Sequence, residues 1–297
     1  MTDINTCESS QTEKMFMYAR EIPVLGVGIG WRMEIQEKIL ENKQHIDWLE
    51  VITEHFIGQA EDRFAYIRQI SKQLPVIPHG IDLSIGTDVP VEDDYLDALA
   101  NIVEDLNAPW FTDHLCFTRV PGVNVGQLTP LQFSRATVDT VVKKVLHIKS
   151  RIDKPFLLEN ITYQFKIPGS QMSETEFLTA ILEESDIGML LDVTNLFINS
   201  VNHGYDPYDF LKSIPMERVI QLHIAGGEHF NNRWYDTHSM PVHEEVFDLV
   251  EYIVANAPVK GILLERDQNY PHSFQEILDE IGRAREIFNK YHALSLV

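Results

Sequence analysis

Cysteine is nearly missing from this chain: its 297 residues include only Cys7 and Cys116. Two thiols cannot make a disulfide framework, and they suit a reducing compartment, so a cytoplasmic location is expected. Basic residues are also scarce, 24 Lys+Arg against 45 Asp+Glu, for a formal net charge of −21. Such a field repels phosphate backbones and argues against nucleic-acid binding, although a solvated acidic surface is common. No apolar run approaches the roughly 18–20 residues that a membrane helix needs, so no membrane span is expected. The first twenty residues lack a basic start followed by an apolar stretch and do not read as a signal peptide. Residues 1–20 are expected to be a flexible lead-in to one domain over 21–297. No Gly/Ser/Pro-rich linker and no sequence repeat divides that domain.

What is present is ordinary core material, 44% hydrophobic and 23% charged, arranged with a clear rhythm. Short β-rich apolar runs occur at 24–30 (VLGVGIG), 46–52 (IDWLEVI), 75–80 (PVIPHG) and 109–114 (PWFTDH). Four more follow at 155–160 (PFLLEN), 188–192 (GMLLD), 218–224 (RVIQLHI) and 261–265 (GILLE). Helical patterns lie between them at 33–42, 60–73, 93–106, 132–151, 174–184, 208–213 and 243–256. An eighth covers 273–291, with Ser273 as its N-cap. Strict strand–helix alternation with buried-type strands predicts an α/β fold, a TIM-type (β/α)8 barrel; an open doubly wound sheet is the alternative. The segments 115–129 and 225–240 are long for barrel loops and are expected to shape access to the catalytic face.

Nearly every strand ends in a residue able to bind metal or move a proton: Glu50, His79, Asp113 with His114, Glu159 with Asn160, Asp192, His223 and Glu265. Core packing would favour Val, Ile or Leu there. A barrel gathers strand C-termini around one mouth, so residues spread over more than 200 positions converge. Two motifs extend the set. Asp192-Val-Thr-Asn195 places two oxygen donors three residues apart at a βα turn, and Asp236-Thr-His238 directs two side chains to one side of an extended segment. The metal-binding series is then His79, His114, Glu159, Asp192, Asn195, His223, Asp236, His238 and Glu265. Imidazoles and carboxylates without thiolates suit iron, manganese or zinc, and argue against copper(I) and iron–sulfur clusters. Nine donors exceed the needs of one ion, so Glu159 is a natural bridge between two. Iron is the natural occupant if redox chemistry follows, zinc if hydrolysis does.

This order of blocks resembles the xylose-isomerase-like metal barrels, including the trinuclear-zinc apurinic endonucleases, where a histidine matches Asn195. A closer resemblance is to the multinuclear non-heme iron-dependent oxidative enzymes (MNIO), the methanobactin-biosynthesis type of iron oxygenase. It rests on GVGIGWR (26–32), DWLEVITEHFIG (47–58), PHGIDLSIGT (78–87), TDHLCFT (112–118) and LLENITYQF (157–165). It continues through LLDVTNLFINSVNHGYDP (190–207), QLHIAGGEH (221–229), YDTHSMPV (235–242) and LLERDQNYP (263–271). The match runs from about Val24 to Ile287. The resemblance implies two or three irons (Fe2+/Fe3+), dioxygen as co-substrate, and oxidative modification of a ribosomally made precursor peptide, often at cysteine. By position, His79, His114 and Glu159 would hold one iron; Glu159, Asp192, His223 and Glu265 the second; Asn195, Asp236 and His238 a third, more weakly held. The family usually shows Glu-Asn where this chain has Glu54-His55, an extra imidazole near the mouth.

Other residues have blander readings beside them. Glu159, Asp113 and Asn160 are expected at the catalytic centre, the last two orienting ligands or touching substrate. Glu50, Glu54, His55, Arg32 and His229 are candidates for contacting substrate or supporting ligands, Arg32 equally for a rim salt bridge. Gly26, Gly28 and Gly30 lack the third glycine spacing of a dinucleotide fingerprint. Cys116 reads as a small buried residue, and His203 and His243 as structural. In the family a small partner protein grips the precursor's leader; with no appended leader-binding domain visible in this sequence, a separate partner is expected. The competing functions are a zinc-dependent hydrolase or endonuclease, a metal-storage or partner-binding barrel, and a sugar isomerase.

Overall fold

Eight short parallel strands pair side by side and close on themselves in the computed structural model, which describes residues 22–58 and 61–292. The expected lead-in over 1–20 lies outside the described residues. The barrel strands are β1 (Gly26–Gly30), β2 (Leu49–Ile52), β3 (Val76–Gly80), β4 (Phe111–His114), β7 (Phe156–Glu159), β8 (Gly188–Asp192), β9 (Val219–Phe230) and β11 (Gly261–Glu265). They pair in the order β9-β11-β1-β2-β3-β4-β7-β8, and β8 pairs back to β9 to complete the ring. The chain is therefore a (β/α)8 barrel and not an open sheet. Every expected strand is present: 188–192 and 261–265 have the expected bounds, the strand expected at 218–224 runs on to Phe230, and the others are one to three residues shorter at an end.

Helices cover the outside because each has an apolar stripe at helical spacing. Leu96, Leu99, Ile102 and Val103 form the buried face of Asp93–Asp105, and Val246, Leu249, Val250 and Ile253 that of Glu244–Asn256. Ser134 caps Arg135–Arg151 by accepting from Thr137 N, and Ser173 with Glu176 makes a capping box on Glu174–Ser185. The expected cap Ser273 accepts from Gln275 N at 3.3 Å, at the start of Gln275–His292. One α-helix and three strands were not expected. The segment after β8 is a helix, Val193–His203, and the two long loops contain hairpins: β5 (Phe117–Val120) with β6 (Val123–Thr129), and β10 (Arg233–Met240) folded back on β9. No helix among the described residues is long and apolar enough to cross a membrane.

Inside the ring, Trp48, Ile77, Trp110, Leu157, Leu190 and Leu263 pack into an apolar floor. Gly28 of β1 makes room for it: a Cβ there would stand 2.6 Å from the Trp48 ring and from its carbonyl oxygen.

Candidate metal centre

Side chains on a strand alternate between the two faces, so the residue two places after a floor residue also points into the barrel, one layer nearer the mouth. On β2, β3, β7, β8 and β11 those residues are Glu50, His79, Glu159, Asp192 and Glu265, each at most 5% exposed. β4 adds Thr112 and then His114; β9 adds Gln221 and then His223. The period of two thus stacks a polar layer directly on an apolar one, where its charges are shielded from water.

The first donor group is His79, His114 and Glu159. His114 Nδ1 lies 3.0 Å from the Gly80 carbonyl, which can only accept, so the proton is on Nδ1 and Nε2 is bare. Thr112 Oγ1 lies 2.7 Å from His79 Nδ1, which holds that ring with its Nε2 turned to the same point. The two Nε2 atoms are 3.3 Å apart, and they stand 3.3 Å (His79) and 3.4 Å (His114) from Glu159 Oε2. That oxygen has no hydrogen-bond partner. Lone pairs crowded at this spacing repel one another unless a cation lies among them, and ligands about 2.1 Å from a common ion are spaced in this way. Burial, together with His114 and His223, holds His79 well below the usual imidazole range, in the neutral form a metal requires.

The second group, Glu159, Asp192, His223 and Glu265, is fully buried. His223 Nδ1 lies 3.4 Å from Glu159 Oε1 and 3.2 Å from Glu265 Oε2, yet it makes no hydrogen bond, and neither does Asp192 Oδ2. Asp192 is also the N-cap of Val193–His203: its Oδ1 accepts from Asn195 N at 2.7 Å, which leaves Oδ2 for the cluster. Burial raises Asp192 well above the carboxylate range, with Asp236 and Glu159 adding to it. Burial opposes charge on His223 as well, but the carboxylates of Glu50, Glu265 and Glu159 outweigh it and push the imidazole well up. The carboxylates that favour a proton on His223 would favour a metal cation beside it as well.

A third set faces the same cavity at the mouth. Asn195 Oδ1, Asp236 Oδ1 and His238 Nε2 are buried and without hydrogen bonds, and Asp236 Oδ1 lies 2.8 Å from His238 Nε2. Asn195 Nδ2 donates to the Asn160 carbonyl at 3.1 Å, which settles the amide orientation. A different grouping, His238 with Glu265 and Asp267, would use His238 Nδ1. That nitrogen is already 3.2 Å from Asp267 Oδ2, so the bare Nε2 favours the set with Asp236 and Asn195. His238 sits at φ 49, in the irregular part of the β9–β10 pairing. A left-handed non-glycine costs about 1–3 kcal/mol and is kept where function needs the side chain aimed.

The remaining candidates separate by their partners. Asn160 donates to the Asp192 carbonyl at 3.0 Å and accepts from Asp192 N at 2.9 Å, so its amide staples β7 to β8 and is not free for a reacting group. Asp113 accepts from His114 N at 2.7 Å and Leu83 N at 3.3 Å; it braces the β3–β4 end outside the donor groups, and burial and Glu54 push it well up. Of the two roles expected for this pair, orienting ligands or touching substrate, these hydrogen bonds fit the first. Glu54 accepts from Ile81 N, Asp82 N and Tyr95 Oη at 2.6–2.8 Å and secures the loop after β3. His55 belongs to none of the donor groups, and burial and Arg32 lower it. Arg32 takes the rim salt bridge, 2.6 Å from Asp267 and 3.6 Å from Glu265. His229 is exposed, packing its ring 5.3 Å from Trp234, and so does not support the donors. Glu50 lies under His223. His203 and His243 bond to the carbonyls of Tyr163 and Gly227, and Cys116 is buried and free. Sequence reading missed Thr112, Gln221 and Asp267 as site residues. Each stands two positions from a recognised donor, and strict period-two counting would have found all three.

Comparison with known proteins adds an independent line. Residues 26–289 match the family described as "RiPP precursor modification enzyme MbnB/TglH/ChrH". A UPF0276 protein of Anaeromyxobacter sp. (strain Fw109-5) is 31% identical over 264 residues, covering 89% of this chain and 93% of that protein. A UPF0276 protein of Streptomyces avermitilis is 33% identical over 91% of this chain, which spans only 56% of that longer protein. Among solved structures, a xylose isomerase domain protein from Planctomyces limnophilus matches 91% of this chain and all of its own, with a TM-score of 0.54 at 11% identity. That likeness places the fold among xylose-isomerase-like TIM barrels.

Proposed function

Because this chain belongs to the RiPP precursor modification family MbnB/TglH/ChrH, the MNIO enzymes, we propose that it uses iron and dioxygen to modify a ribosomally made precursor peptide oxidatively, at cysteine. The observation that carries the reading is Glu159, whose two oxygens are divided between two groups of bare donor atoms. His79, His114 and Glu159 would hold one iron, and Glu159, Asp192, His223 and Glu265 a second. Asn195, Asp236 and His238 would hold a third, less firmly because they sit at the open end. Iron bound there supplies the one-electron redox chemistry that the reaction of dioxygen with a peptide side chain requires.

The chain's own residues provide the setting. The hydrogen bonds of His79 with Thr112 and of His114 with the Gly80 carbonyl keep both Nε2 atoms aimed inward before any ion arrives. Ile52, Ile81, Leu128 and Ile161 give the cavity at the mouth, about 240 Å³, an apolar wall that limits water at the donors. Arg32 offsets the charge of Asp267 and Glu265 at the rim. A cavity of this size admits a side chain and little more, so the rest of the peptide is held elsewhere, by a small leader-binding partner protein in this reading.

The test is metal analysis of protein made in iron-rich medium, followed by dioxygen uptake and peptide mass change with the product of a neighbouring short reading frame. Iron at two or more ions per chain with coupled oxidation supports the proposal. Protein that takes only zinc and cleaves abasic DNA would replace it with the hydrolase reading.

A further inference from the structure

Three of the four imidazoles in the centre present a bare Nε2, whereas His223 presents Nδ1. Below it lies a ladder of polar side chains that no ligand role uses. Trp110 Nε1 donates to Gln221 Oε1 at 2.6 Å, and Gln221 Nε2 donates to Glu50 Oε2 at 2.6 Å. Both Glu50 oxygens then lie 3.1 Å from His223 Nε2. Trp110, Gln221, Glu50 and His223 are each at most 2% exposed, so no water substitutes for a missing partner.

The first two links have only one sense. The indole can only donate, which fixes Gln221 Oε1 toward it and Gln221 Nε2 toward Glu50. Glu50, already accepting from Gln221, faces His223 with acceptor oxygens, so when a metal displaces one proton from this imidazole the proton that stays is the one on Nε2. The Gln221 amide has a second N–H and its Nε2 is also 2.9 Å from His223 Nε2, but Glu50 sets both of its oxygens against that ring nitrogen, and two carboxylate acceptors weigh more than one amide contact. The orientation set at the barrel floor by Trp110 is thereby passed through three strands to the lone pair on His223 Nδ1. A carboxylate is costly to bury at this depth, and apolar packing would fill the same space at lower cost.

We infer that Glu50 and Gln221 are positioning residues that select the Nδ1-ligating tautomer of His223, and so set the affinity of the second donor group separately from the first. The inference rests on the proposed metal centre and deepens it. Removal of such a supporting partner typically lowers metal affinity about 10–100-fold.

The experiment is anoxic titration with ferrous iron alone against a competing chelator, with Mössbauer spectra of iron-57-loaded protein to count the sites. Wild type is compared with Glu50→Gln, Gln221→Glu and the double variant that exchanges the two side chains. In Glu50→Gln an amide NH2 is set against that of Gln221, and one iron should bind 10–100-fold more weakly while the ion at His79 and His114 remains. The retained ion, with circular dichroism, reports that the barrel is folded. The exchanged pair restores every donor–acceptor match from Trp110 to His223 at unchanged charge and nearly unchanged volume, so it should recover most of the loss. Unchanged affinity in Glu50→Gln, or an exchanged pair no better than the sum of its single variants, overturns the inference. Wild-type protein that binds no iron at all refutes the metal-centre reading beneath it instead.

Discussion

Glu159 Oε2 lies 3.3 Å from His79 Nε2, while its other oxygen lies 3.4 Å from His223 Nδ1. One carboxylate on one strand therefore serves two clusters of donors. Glu159→Ala should lower iron content by more than one ion per chain and abolish turnover, whereas His79→Ala should cost about one ion. Iron analysis of the two purified variants is the check, and retention of full iron by Glu159→Ala would remove the bridge.

Asp236 and His238 sit at the mouth on β10, away from the layer that holds the other donors. Asp236→Ala or His238→Ala should remove at most one ion and leave the pair around Glu159 in place. Loss of all metal from either variant, with an intact circular dichroism spectrum, would contradict a separate third set.

Gly28 has no space for a methyl group against Trp48. Gly28→Ala should destabilise the barrel by about 1–3 kcal/mol, the usual range for overpacking a filled interior. Gly282, inside the helix Gln275–His292 with open space around it, is the control. Gly282→Ala should stabilise by about 0.5–1 kcal/mol through helix propensity. Urea unfolding midpoints distinguish the two directions.

Burial pushes Glu174 up to about 7, against the hydrogen bond it accepts from Tyr163 Oη at 2.8 Å. Its ordinary value is 4.5, so between that pH and about 7 the folded chain binds more protons than the unfolded one. Stability from this group is therefore full below the window and lost as pH rises through about 7. Glu174→Gln keeps the acceptor and removes the titration. Wild type should lose about 1–3 kcal/mol more than this variant on going from acid to neutral and above, read from unfolding curves at each pH; parallel pH profiles would refute it.

A chain of net charge −21 with a carboxylate-rich mouth repels an acidic leader that approaches unaided. If a partner protein holds the leader, it raises the local concentration of the core peptide at the mouth. Adding the partner should lower the apparent KM more than it raises kcat, with a larger effect at low salt. Equal kcat/KM with and without it, at both salt concentrations, would show that the barrel recognises its peptide alone.

The barrel was legible in the sequence because its signal is local. Each strand is a short apolar run, each helix carries its own stripe, and residues able to bind metal recur at strand ends, as at His79, Glu159 and Glu265. Composition and charge also sufficed to set membrane spans and nucleic acid aside as expectations. The helix Val193–His203 was not legible: its Asn and Ser residues favour turns, and capping by Asp192 with packing against β9, β10 and the helix Glu244–Asn256 secures it. The two hairpins were read as loops because β6 buries no face and so shows no alternation of burial. Above all, roles within the site were decided by tertiary structure. Asp113 and Asn160 carry the same functional groups as Asp192 and Asn195 and stand beside ligands in the chain. Which oxygen is consumed by a backbone N–H and which is left bare depends on strand pairing across the barrel, and sequence spacing carries no record of that.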